Sequence, residues 1–157
     1  MNYELYMGEA LAEARLAADR GERPVAAVAV IENAMVARAH DRARQTTDPT
    51  AHAVVVALRE TARKLGTTDL SEVTIFTTCE PCAMCVGAML ESQVQRLVYA
   101  VGDRRSGAAG SAVQVAQADS LPRRLEVVSG IRADEALDLV RDESWFAGQP
   151  SGVGARA

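Results

Sequence analysis

No apolar run in this sequence reaches the roughly 18 residues that a membrane-crossing helix needs. Its opening, Met1-Asn2-Tyr3-Glu4, also lacks the basic and then apolar layout of a secretion signal. A cytoplasmic protein without membrane contact is therefore expected. Aromatics are scarce at 4%, and cysteine is confined to Cys79, Cys82 and Cys85. An odd, tightly spaced set of cysteines argues against a disulfide framework and leaves metal binding or redox chemistry. Excess positive charge is missing too, since 17 Lys and Arg face 21 Asp and Glu for a net charge of −4. The last helical stretch, expected from Arg132 to Ala147, carries Asp134, Glu135, Asp138, Asp142 and Glu143 against Arg132 and Arg141. A surface that tracks phosphates needs the reverse, so nucleic acid is a disfavoured partner, and Arg104-Arg105 and Arg123-Arg124 read as solvated surface charge.

What remains is a chain of 157 residues, 48% hydrophobic and 24% charged, long enough to bury one core without covalent staples. Residues 1–147 form the expected domain, and the Gly- and Pro-containing end, 148–157, is expected to be a flexible tail. Met7, Leu11, Ala14 and Ala18 recur at helical spacing between Tyr3 and Arg20, with Gly21 as the stop. Val25 to Ile31 and Met35 to His40 predict two strands joined by a tight turn at Glu32-Asn33. Asp48 is the expected N-cap and Pro49 the first residue of a helix running to Leu65, with Gly66 as its C-terminal stop. Val73 to Thr78 is a third strand, Pro81 opens a helix to Ser92, and Val94 to Val101 and Leu125 to Val128 are two more strands. Strands alternating with helices imply an α/β fold, a three-layer α/β/α sandwich around a central five-stranded mixed sheet.

The helix from Pro81 places Cys82 and Cys85 on one side of its N-terminal end, where the helix dipole favours the thiolate that zinc requires. The helix from Pro49 places His52 in its own first turn. Together they predict a zinc ion held by His52, Cys82 and Cys85 with a fourth position open, the arrangement of a reactive rather than a structural site. A closed site with Cys79 as fourth ligand is the alternative. The Cys-x-x-Cys-x-x-Cys run lacks the fourth cysteine of an iron–sulfur segment. His40 sits in a strand and reads as packing.

Asp48-Pro49-Thr50-Ala51-His52-Ala53 and Cys79-Glu80-Pro81-Cys82-Ala83-Met84-Cys85 resemble the H-x-E and P-C-x-x-C signature of the cytidine deaminase-like zinc deaminases. The resemblance implies that fold, a zinc cofactor, hydrolytic deamination and a likeness to commonly dimeric relatives, so a homodimer is expected. It also implies an acid–base glutamate at the position that Val54 occupies here. In the family that carboxylate moves protons between water, ring nitrogen and departing amine, and valine moves none. The resemblance therefore implies a nearly inactive chain. Three explanations are open: an altered enzyme, a natural noncatalytic partner subunit of a deaminase dimer, or takeover by another carboxylate such as Glu80 or Glu143.

Gly107-Ala108-Ala109-Gly110-Ser111 resembles the loop of bacterial tRNA adenosine deaminases, whereas Thr78 to Cys82 is more similar to guanine deaminases. The acidic final stretch tips the expectation to a free nucleobase or aminated heterocycle of guanine, cytosine or triazine type, with a tRNA adenosine deaminase as the alternative. Asp41 stands where the family presents an asparagine to the substrate, and as an acceptor it would suit an N–H-rich ring edge. Ala53, Pro81 and Trp145 complete the expected substrate contacts.

Overall fold

The computed structural model describes residues 1–142 and residue 144. Among them the elements run α1 (Tyr3–Asp19), β1 (Ala26–Ile31), β2 (Ala34–His40), α2 (Ala43–Thr46), α3 (Ala53–Leu65), β3 (Thr74–Cys79), α4 (Ala83–Glu91), β4 (Arg96–Val101), β5 (Glu126–Ser129) and α5 (Ala133–Val140). The five strands form one sheet in the order β2-β1-β3-β4-β5. β1 is antiparallel to β2 and β3, while β3, β4 and β5 are parallel, so the sheet is mixed as expected.

Alternation along the strands sorts the core into two faces. Val28, Val30, Phe76, Val98 and Ala100 pack toward α1 and α5. Ala27, Ala29, Ile75 and Leu97 pack toward α3 and α4. The three-layer sandwich follows, because the central strands β1, β3 and β4 are buried on both faces. The scarce aromatics are concentrated where they count: Phe76, fully buried, meets the rings of Tyr3 at 5.7 Å and Tyr6 at 5.4 Å. Glu32 and Asn33 both have positive φ, 49° and 64°, the backbone of a two-residue hairpin turn that matches the twist of β1 and β2. No helix among the described residues is long and apolar enough to cross a membrane.

Several helix boundaries differ from expectation. Asp48 does not cap α3: its Oδ1 accepts from the Thr50 amide at 2.9 Å and the Thr50 hydroxyl at 2.7 Å, closing a turn ahead of the helix. α3 starts at Ala53, with His52 as an extended N-cap residue at ψ 153°. α4 likewise starts at Ala83, with Cys82 as its N-cap. Gly66 ends α3 in the left-handed region, as expected. The short α2 has no local signal; Glu22, distant in sequence and 1% exposed, accepts from the amides of Arg44 at 3.1 Å and Gln45 at 2.8 Å. The final helix ends at Val140 rather than Ala147, and the expected tail at 148–157 lies outside the described residues.

Replacing Phe76 with Ala should empty the most crowded point between the sheet and α1, and a loss of about 3–5 kcal/mol is expected in urea denaturation.

Candidate metal centre and its cavity

The crossover from β3 through α4 to β4 brings the end of β3 and the start of α4 to the edge where the sheet changes from antiparallel to parallel pairing. Such changeover points form crevices at the carboxyl ends of strands. β3 ends at Cys79, the chain turns through Glu80 and Pro81, and α4 begins with Cys82 as cap and Cys85 one turn on. α3 packs beside α4 and presents His52 from its own tip.

Neither cap residue uses its side chain to cap. The His52 Nδ1 instead lies 3.6 Å from the Cys82 Sγ and 3.5 Å from the Cys85 Sγ, and the two sulfurs are 3.8 Å apart. A tetrahedral zinc with bonds of about 2.3 Å to sulfur and about 2.05 Å to nitrogen needs edges of ~3.8 Å between sulfurs and ~3.6 Å from nitrogen to sulfur. The three separations match that polyhedron on every edge. These residues are the metal-capable group found among the described residues.

The thiols carry the electrostatic signature of a ligand pair. The hydrogen bond shared with Cys85 pulls Cys82 down to about 4 against the effect of burial, with help from His52, while the same shared bond and burial push Cys85 up. Cys79 behaves differently. Burial, then the charge of Asp103, pushes it up to about 12, and its Sγ is 4.0 Å from the Asp103 Oδ2 rather than among the ligand atoms. The fourth corner is therefore not filled by Cys79. His40 is also away from the centre, buried with its Nδ1 2.8 Å from Glu13 Oε1 on the α1 side of the sheet.

A cavity of about 60 Å³ opens beside the three donors, and Asp41, Ala53, Val54 and Pro81 all line it. Val54 is 3% exposed and belongs to the apolar cluster under α3. Trp145 lies outside the described residues. Asp41 is placed as expected but is not a free acceptor. Its Oδ1 accepts from the Ala43 amide at 2.9 Å, and its Oδ2 accepts from Arg23 Nη2 at 2.6 Å and Nε at 3.0 Å. Arg23 was not among the expected site residues; its signal was a cation directly before Pro24 and the apolar strand that follows. Glu80 is engaged as well. Its carboxylate accepts from the amides of Asp103, Ala109 and Ser111 at 3.1, 2.9 and 3.1 Å, and a Cβ on Gly107 would fall 2.4 Å from its Cδ. Glu80 thus holds the loop after β4 against the cavity wall, with its carboxylate taken up by three backbone amides. Glu143 lies outside the described residues.

Residues 1–101 match the family model for the cytidine and deoxycytidylate deaminase zinc-binding region. The chain belongs to this zinc-binding deaminase family. It is 38% identical over 132 residues to the tRNA-specific adenosine deaminase of Bacillus subtilis, covering 84% of this chain and 82% of that protein. A structure from a study of A-to-I editing by tRNA:A34 deaminases superposes with a TM-score of 0.83 at 33% identity, over 86% of this chain and 98% of that one. Guanine deaminase from Bacillus subtilis superposes with a TM-score of 0.64 at 34% identity, over 66% of each chain. The fold is that of the deaminases, and family and donor set agree on zinc.

Two outcomes are expected. Because protons compete for the thiolates, zinc binding should expel the proton held by Cys85, and zinc affinity should fall as pH falls, as read by competition with a chromophoric chelator. Glu80→Ala should cost at least about 1–3 kcal/mol in thermal or urea unfolding, because buried amides of the loop lose their acceptor.

Proposed function

We propose that this chain is a zinc-binding member of the tRNA adenosine-acting branch of the family, a scaffold for hydrolytic deamination that Val54 leaves nearly unable to turn over. The observation that carries the reading is the degree of likeness to tRNA-acting relatives, in sequence identity and in superposition of the backbone. Guanine deaminases superpose less closely, the one from Nitrosomonas europaea over as much of the chain but with a TM-score of 0.71 at 28% identity, and support a free-base reading less well.

The acidic end of the chain weighs less against RNA than its composition suggests. α5 packs with α1, on the sheet face opposite α3 and α4. Its Glu135 pairs with Arg132 and Arg15, and Asp138 with Arg141. The loops that border the cavity carry Arg42 and Arg44 on one side and Arg104 and Arg105 on the other, beside Asp41 and Asp103. The expected preference for an N–H-rich free base rested on an unengaged Asp41, and Arg23 and Ala43 already hold that carboxylate.

His52, Cys82 and Cys85 are the residues that would hold zinc, which when bound acts as a Lewis acid. Asp41 and Arg23 are among the polar groups that line the cavity. Position 54 supplies only methyl groups where a proton must be taken up and handed on. Loss of such a positioned group costs about 10²–10⁴-fold or more. A homodimer is part of the proposal, to be checked by light scattering. So is a noncatalytic role beside a glutamate-bearing homologue, which co-purification of the two would support.

In a Val54→Glu variant, inosine should form in a tRNA transcript at a rate at least about 10²-fold above that of the unaltered chain. Inosine formation no faster than in the unaltered chain, with zinc bound and tRNA retained on a filter, would overturn the proposal.

A further inference from the structure

We infer that the Arg23–Asp41 ion pair is a gate across the metal-side cavity, keeping a purine base out until the pair parts. This inference rests on the cavity being a base-accepting site. Both residues line the cavity together with His52, Val54, Cys82 and Cys85. Their side chains are 17% and 2% exposed, and two guanidinium nitrogens converge on one carboxylate oxygen at 2.6 and 3.0 Å. The pair is shielded from water, so salt screens it poorly.

It is also anchored from behind. The Asp41 amide donates to the Val25 carbonyl at 3.0 Å, and the Asp41 Oδ1 is held by the Ala43 amide. The buried Glu22 carboxylate ties residues 44 and 45 to the segment that carries Arg23, and Arg44 Nη1 donates to the Gly21 carbonyl at 3.2 Å. Residues 21–25 and 41–45 are thus laced together, so the backbone that carries each partner is held and opening falls to the Arg23 side chain. The space left is about 60 Å³. That admits a few water molecules, each with a share of about 30 Å³ in the liquid, whereas small-molecule sites start near 300 Å³.

A gate of this kind lowers apparent affinity by the fraction of molecules in which it stands open. Removing one partner would strand a buried charge, while removing both removes the pair without that penalty. The test is therefore Arg23→Ala combined with Asp41→Asn, whose amide oxygen can still accept from Ala43. The zinc-loaded chain and the double variant are titrated with 2-aminopurine riboside, followed by its fluorescence. The double variant, with unchanged zinc content and melting temperature, should bind at least about tenfold more tightly. Equal affinity in the two proteins would overturn the gate. So would tight, micromolar binding by the unaltered chain, a measurement that decides the matter even if the double variant fails to fold. Neither titration involves tRNA or turnover, so failure of the tRNA reading would show separately, as loss of filter binding and of inosine in Val54→Glu.

Discussion

Three donor atoms held at 3.5, 3.6 and 3.8 Å from one another are the constraint around which this molecule is arranged. One imidazole and two thiols come this close only because two helices begin at the same place. α3 ends its approach at His52 and α4 at Cys82, and in both the cap residue turns its side chain to the shared point rather than to its own helix. Each helix gives up the stabilisation of a side-chain cap, ordinarily about 1 kcal/mol. Metal ligation by the same side chains would offset that loss. The parallel crossover from β3 to β4 fixes α4, and the packing of α3 on the same sheet face fixes His52, so the layers of the fold set the dimensions of the site.

Around this point the polar groups fall into two kinds. Glu80 and Glu22 are buried carboxylates saturated by backbone amides, and they brace the loop after β4 and the loop after β2. Gly107 follows from the same bracing, since any side chain there would collide with Glu80. Asp41 and Arg23 form the second kind, a charge pair at the cavity itself. The chain therefore keeps carboxylates near the centre, yet each described one that lines the cavity beside the donors is engaged by amides or guanidinium groups. Position 54 itself contributes the apolar side chain of Val54 to the same lining.

The sequence was most legible where signals are local. Gly66, the Glu32-Asn33 turn, the alternation in Val28, Val30 and Ala27, Ala29, and the His52, Cys82 and Cys85 set all follow from neighbours a few residues away. It was least legible where the cause is distant. α2 exists because Glu22 reaches across to cap it, and nothing between Ala43 and Thr46 announces a helix. Asp48 looked like a helix cap and is instead spent on Thr50, because the side chain found a closer partner. The acidic composition of the chain end pointed away from RNA, but composition does not record that α5 lies on the far face and is laced with arginines.

By itself the sequence determined the layer order, the donor types, their position at helix starts and the absence of a proton-moving group at Val54, since each is a matter of residue identity and short-range periodicity. Only the tertiary structure decided the donor spacing, the exclusion of Cys79, the engagement of Asp41 by Arg23 and of Glu80 by the loop. Those depend on distances between segments far apart in the chain, and such distances are set by how the sheet and helices pack rather than by any stretch of residues alone.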